Sequence, residues 1–165
     1  MTGAQARQKS GRVALFALAG LIVLATDQAT KYWFEHHFDP GERVPVTSFF
    51  NLVLAHNRGA AFSFLADAGG WQHGLFSVLA LVVAGLLAWL VRRHADRTLF
   101  AFAATLVAAG ALGNLIDRTV YGYVVDFLDF YWGAWHWPAF NVADIAICCG
   151  AGLMILDEFT GLSKR

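Results

Sequence analysis

Residues 71–91 read WQHGLFSVLALVVAGLLAWLV and contain no Asp, Glu, Lys or Arg. About 20 apolar residues in helical form cross the ~30 Å hydrocarbon core of a bilayer. This stretch is long and apolar enough to do so. Working outward from it, the stretches 13–34, 98–117 and 140–159 have the same character. In lipid a spanning backbone must satisfy its polar groups internally, so the four are expected as helices. The composition agrees. Hydrophobic residues make up 58% of the 165, charged residues 15%, and the mean hydropathy is +0.51. A soluble globule of this size could not hide that much apolar surface. Disordered, collagen-like and disulfide-scaffold classes need high charge, periodic Gly-Pro or many Cys, and are excluded. The whole chain, 1–165, is therefore read as a single integral membrane domain.

Basic residues set the orientation of such a chain. Arg7, Lys9 and Arg12 precede the first span, Arg92, Arg93 and Arg97 join the second and third, and Lys164 and Arg165 end the sequence. Four alternating spans put all of these on one side, so both termini are expected to be cytoplasmic. Segments 35–70 and 118–139 then face outward. Trp33, Trp71, Trp89, Trp132, Trp135 and Trp137 fall near span ends, as an interfacial aromatic belt requires. The basic start followed by Val13–Thr26 also fits a signal peptide, but hydrophobicity resumes at Tyr32-Trp33-Phe34 and favours a retained span. Small residues in the third span, including Gly110 and Gly113, allow neighbouring helices to approach closely.

The first outer segment is rich in β-branched and aromatic residues. A small extracytoplasmic β-sheet is expected over about 43–65, between the first and second spans, with Asn57-Arg58-Gly59 turning between two strands. The stretch 132–138 is aromatic and is expected to dip into the interface. Zero net charge and the lack of a basic stripe give no sign of a nucleic-acid partner. Cys148 and Cys149, adjacent in an apolar run, read as buried small hydrophobes.

Ionisable residues in or beside spans are functional candidates by default. Asp27, Asp117, Asp126, Asp129 and Asp144 all fall toward the outer side, whereas Asp96, Asp157 and Glu158 read as solvated cytoplasmic charges. Asn114, Asp117 and Arg118 share a helix face, and Asp117 reads as a structural clamp. Asp126 lies between Val124-Val125 and Phe127-Leu128, a setting that raises a carboxyl pKa; it could equally be a satisfied structural acceptor. Asn141 and Asp144 sit where an N-cap and its partner belong at the start of the fourth span. Two carboxylates, one among apolar residues and one at a helix start, could instead share a proton. One would act as general base on water and the other would donate to a carbonyl. Other chemistries lack their signatures. His36 and His37 stand without HExxH, no Ser sits in GxSxG, and neither a P-loop nor GxGxxG occurs. No metal and no cofactor is expected.

Five segments in order carry a resemblance: DQATK at 27–31, FFNLVLAHNRGAAFSFL at 49–65, GALGNLIDR at 110–118, GYVVDFLDF at 122–130 and FNVADIAI at 140–147. The sequence resembles the bacterial lipoprotein signal peptidases, or signal peptidase II. The resemblance implies an all-α membrane protein with four transmembrane helices and a small outer sheet. It implies an aspartic endopeptidase of the bacterial inner membrane that removes the signal peptide from diacylglyceryl-modified prolipoproteins, just before the lipidated cysteine. Asp126 and Asp144 match the family's catalytic pair. Asp27, Lys31, Asn57, Gly59, Asn114, Arg118 and Asn141 match its substrate-binding or supporting positions. Asn57 is expected to bond the substrate backbone. The expected partners are the lipidated precursor and membrane lipids, and the enzyme is expected to be monomeric. The competing readings are a small proton-coupled transporter and a non-catalytic membrane assembly factor.

Overall fold

Thirty-five consecutive helical residues open the fold, because nothing between Gly3 and His37 breaks a helix. In the computed structural model residues 3–59 and 71–161 are described. The element order is α1 (Gly3–His37), β1 (Arg43–Thr47), β2 (Phe50–Asn57), α2 (Trp71–Arg93), α3 (Thr98–Val120), β3 (Val124–Trp132), β4 (Trp135–His136) and α4 (Val142–Thr160). At 1.5 Å per residue α1 is about 50 Å long, so the 13–34 span extends at both ends beyond a hydrocarbon core. Helices α1, α2 and α3 are long and apolar enough to cross a membrane. The segment expected as a fourth span is also helical, but its nineteen residues include Asp144, Asp157 and Glu158. Leu15, Leu21, Val78, Leu81, Val82 and Leu86 are all more than half exposed. In water such a surface would be a liability; in lipid it is the outer wall.

Helix α3 packs against α1, α2 and α4. Its contact with α4 depends on glycine. A Cβ on Gly110 would collide with the Ala143 carbonyl, and one on Gly150 would lie 2.6 Å from the Ala103 carbonyl. Both obstacles are backbone, so they cannot swing away. The small-residue stripe read from the sequence is thus the α3–α4 seam.

The sheet differs from expectation. It has four antiparallel strands in the order β1-β2-β3-β4, drawn from both outer segments and not only from the one between α1 and α2. The turn between β1 and β2 falls at Ser48-Phe49, whereas Asn57 ends β2 and Arg58-Gly59 follow it. Residues 60–65 of the expected β segment lie outside the described residues. Strand β3 is absent from the sequence reading because its partners are about 70 residues away in sequence and its Val-Val-Asp-Phe run lacks a two-residue alternation. A bulge sets Val53 and Leu54 opposite the single residue Phe127, beside the Ala55–Asp126 pair. Phe34 stacks on Phe127 at 4.4 Å and joins Leu54 and Val125 in a core that seats the sheet on α1. Phe49, Phe130, Trp132, Trp135, Trp137 and Phe140 help to line an open aromatic basin of about 420 Å³ on the sheet's rim.

At the opposite end, Lys9 Nζ donates to the Arg93 carbonyl at 3.0 Å and Arg12 to the Asp96 carbonyl at 3.3 Å. Arg97 donates to Asp157 at 2.6 Å. The basic segments therefore gather at the end away from the sheet. Asp157 is fully buried there, not a solvated charge as expected, because Arg97 compensates it. Cys148 and Cys149 are exposed on α4, contrary to expectation. Ala143, Ala146 and Gly150, not the thiols, are buried on that helix.

Candidate active site

Local sequence places each polar side chain. Asn141 has an extended backbone before α4, so its side chain can cap the helix. Its Oδ1 accepts from the Asp144 N–H at 3.0 Å, and Asp144 Oδ2 accepts from the Asn141 N–H at 3.2 Å. This is a capping box with Asp in the place usually held by Glu or Gln. The capping and functional readings are both satisfied, because the box leaves Asn141 Nδ2 free to reach Asp126 Oδ1 at 2.7 Å. The same amide lies 3.2 Å from the Val125 carbonyl and 3.3 Å from Asn114 Oδ1.

Asp126 reaches this point from β3. Its other oxygen, Oδ2, accepts from Asn57 Nδ2 at 3.1 Å, across paired strands that bring Asn57 opposite Val124. Asp144 Oδ1 accepts from Asn114 Nδ2 at 2.8 Å. Both carboxylates are thus held by neutral amide donors and share Asn141 as a neighbour. Asp126 is buried, and burial pushes its carboxyl up to about 7 from the usual 3.8. The nearby Asp144 charge adds to the rise, while the amides of Asn57 and Asn141 pull against it. Like charges at close range favour keeping one proton between them.

A buried charged layer lies beneath. Lys31 Nζ uses its three hydrogens on Asp27 Oδ2 at 2.9 Å, Asp117 Oδ2 at 3.0 Å and Asn114 Oδ1 at 2.8 Å. Asp27 Oδ1 accepts from the Ala143 N–H at 2.8 Å, satisfying a first-turn amide of α4 that has no intrahelical acceptor. Gly113 makes room for it, since a Cβ there would lie 2.5 Å from Asp27 Oδ2. Asp117 accepts from the Val125 N–H at 3.0 Å, so the clamp read from sequence ties α3 to β3. Gln28 completes the layer, donating to Asp117 Oδ1 at 3.0 Å. Sequence reasoning does not single out Gln28; its adjacency to Asp27 at a span end is the available signal.

Arg118 closes the far side, donating to the Gly59 carbonyl at 3.2 Å and the Asn114 carbonyl at 3.3 Å. Gly59 N–H donates in turn to Asn57 Oδ1 at 3.0 Å. Every expected site residue thus joins one hydrogen-bonded network. Asn57 bonds within the chain at both ends of its side-chain amide. Asp129, the remaining outer carboxylate, stands apart in the sheet, accepting from Asn51 and His136 at 2.9 Å each. Among the described residues no group of three or more His, Cys, Asp or Glu could hold a metal ion.

Two carboxyls held beside one shared amide are of the kind that can divide acid and base work, one taking a proton from water and the other polarising a carbonyl. Comparison with known proteins identifies the family. A family model described as signal peptidase (SPase) II matches residues 19–160. The lipoprotein signal peptidase of Ralstonia nicotianae is 58% identical over 139 residues, 84% of this chain and 80% of that protein. That of Cupriavidus taiwanensis is 53% identical over 151 residues, 92% of this chain and 86% of its own. A bacterial membrane enzyme solved by the in meso method at 2.3 Å resolution superposes with a TM-score of 0.81 at 29% identity, covering 92% of each chain. A second, solved by the same method at 1.9 Å, gives 0.75 at 30% identity, covering 87% of this chain and 91% of the other.

Proposed function

The chain belongs to the signal peptidase II family, and from that premise we propose that it is an aspartic endopeptidase of diacylglyceryl-modified prolipoproteins with Asp126 and Asp144 as its catalytic pair. The transporter and assembly-factor readings are set aside with the family. The observation that carries the assignment is the shared amide donor: Asn141 caps the helix that holds Asp144 and bonds Asp126 at 2.7 Å.

Burial and the nearby Asp144 both raise the Asp126 pKa, and the proposed mechanism places the shared proton there at rest. Asp144 is the base, ionised at a helix N-terminus where the dipole favours negative charge. It takes a proton from the bound water as the oxygen attacks the scissile carbonyl. Asp126 donates its proton to the carbonyl oxygen. The tetrahedral diol then collapses, the C–N bond breaks, and the amine leaves with the proton held by Asp144. The diol returns a proton to Asp126, which restores the pair. Asn57, Asn114 and Asn141 orient the acids. Asp27, Lys31 and Asp117 fix the helices that carry them.

We further propose that α4 is a fourth span and that all four cross the bacterial inner membrane as one domain. Both termini are cytoplasmic, the sheet lies on the outer face and the enzyme works as a monomer. Trp132, Trp135 and Trp137 seat the sheet's rim in the interface. The precursor's acyl chains anchor it in the outer leaflet, which brings the scissile bond to the depth of the acids, and orientation by binding removes part of the barrier.

The test is cleavage of a lipidated precursor in detergent micelles. Asp126→Asn and Asp144→Asn should each lower kcat by about 10²–10⁴-fold, and EDTA should leave the wild type unchanged. Wild-type turnover by either variant would refute the assignment.

A further inference from the structure

Glu35 has no part in the proposed chemistry, yet it is tied to the acids' supports. It lies on α1, one helical turn beyond Lys31. Its Oε1 accepts from the Tyr123 hydroxyl at 2.8 Å and its Oε2 from His56 Nε2–H at 3.1 Å. The His56 and Tyr123 rings stack at 4.0 Å with 22° between planes. One carboxylate on a helix therefore bonds both the penultimate residue of β2 and the residue that leads into β3.

Those strand ends carry the acid and its donor. His56 precedes Asn57, which donates to Asp126 Oδ2, and Tyr123 leads into the Val124-Val125-Asp126 run. His56 pairs with Val125 and Asn57 with Val124. The β2 strand stops at Asn57, and strand ends fray unless something ties them down. Arg118 ties the chain beyond through Gly59; Glu35 ties the residue before.

We propose that Glu35, His56 and Tyr123 form a positioning cluster for the reaction, holding the ends of β2 and β3 against α1 so that Asn57 stays bonded to Asp126. The inference rests on the assignment of Asp126 to the catalytic pair. It gives the cluster a role beyond stability. The Asn57 bond favours the ionised form of Asp126. Loosening it raises the pH at which Asp126 loses its proton. The groups facing His56 are Glu35 from α1 and Tyr123 from the β3 approach, with the Arg58 charge acting on Tyr123. Burial and the Glu35 bond push the Tyr123 phenol up to about 12, so it remains a donor throughout the range in which the enzyme would be assayed.

The experiment uses the full chain in detergent micelles with a lipidated precursor, reading kcat and KM from about pH 5 to 9 together with the thermal midpoint. Tyr123→Phe removes one hydroxyl, and Glu35→Ala removes the acceptor. Each should lower kcat roughly tenfold, leave KM within about twofold, and move the alkaline limb of the pH profile up by about half a unit. Glu35→Gln keeps an acceptor for Tyr123 and should recover most of kcat. In an Asn57→Ala background, Tyr123→Phe should cost nothing further, since the two act through one bond. Wild-type kcat and pH limb in folded Tyr123→Phe would overturn the proposal. So would a loss fully additive with Asn57→Ala, or a lower thermal midpoint with unchanged kinetics. If Glu35→Ala does not fold, Tyr123→Phe decides alone. An active Asp126→Asn enzyme would refute the catalytic assignment itself; an inactive one beside a wild-type Tyr123→Phe profile would refute only the cluster.

Discussion

Lys31 shows how a single residue can hold several elements in place. It is one cation between two buried carboxylates, and it also fixes the Asn114 oxygen whose amide nitrogen serves Asp144. Removing one member of a buried ionic group leaves its partners charged and unpaired, at a cost of about 3–5 kcal/mol. Lys31→Met should therefore lower the thermal midpoint steeply and abolish cleavage, whereas Lys31→Arg keeps the charge without the fit; thermal denaturation in micelles checks both. The proton on Asp126 gives a second expectation. Its pKa is raised to about 7, and the mechanism needs that proton in place. Turnover should fall as pH rises through about 7 and be retained below it, until Asp144 is protonated in turn; a kcat profile against pH tests the sign. At this scale the sequence is informative. Asp126 and Asp144 stand out because acids among apolar neighbours are costly, and the resemblance supplies the amides. Gln28, Glu35 and the Asn57–Asp126 bond are hidden, since each depends on a side-chain partner brought by tertiary folding.

Helices are legible as elements and strands only in part: β1 and β2 fall within the expected 43–65 segment, and β3 does not. A run of apolar residues declares a span by local composition alone, so the expected and observed helices agree to within a few residues at most ends. Strand β3 has no such local signature. It is a strand because β2 lies beside it, and β2 comes from the far side of two helices. The hairpin turn falls elsewhere for a similar reason: Asn57-Arg58-Gly59 has turn chemistry, but it serves Arg118 and Asp126. The α3–α4 seam carries its own prediction. Gly150→Ala would set a methyl 2.6 Å from the Ala103 carbonyl, whereas a Cβ on Gly152 meets nothing within 4 Å. Gly150→Ala should lower the thermal midpoint by several degrees and reduce turnover, because Asp144 rides on the displaced helix; Gly152→Ala should match the wild type in both. Overpacking a well-fitted contact costs typically about 1–3 kcal/mol, enough for differential scanning fluorimetry to separate the two.

The whole molecule has a basic end and an end that carries the proposed acid pair. The cations of α1, the α2–α3 connection and the Arg97–Asp157 pair lie together, opposite the sheet. The positive-inside rule supports the proposed orientation, with this end cytoplasmic. A fluorescent-protein fusion at the C-terminus should fold and fluoresce, while alkaline phosphatase fused at the same point should be inactive; the reverse pattern would invert the proposed topology. The basic end also has a mechanical meaning. There α2 and α3 are joined by a short connection, Arg97 clasps the tail of α4, and Lys9 and Arg12 fasten α1 to the same corner. Helix α1 is thus fastened at two levels, to the α2–α3 corner by Lys9 and Arg12 and to α3 and α4 by the buried Lys31 and Asp27. Drawing it away from the bundle would break a buried ion pair as well as the ties at the basic corner.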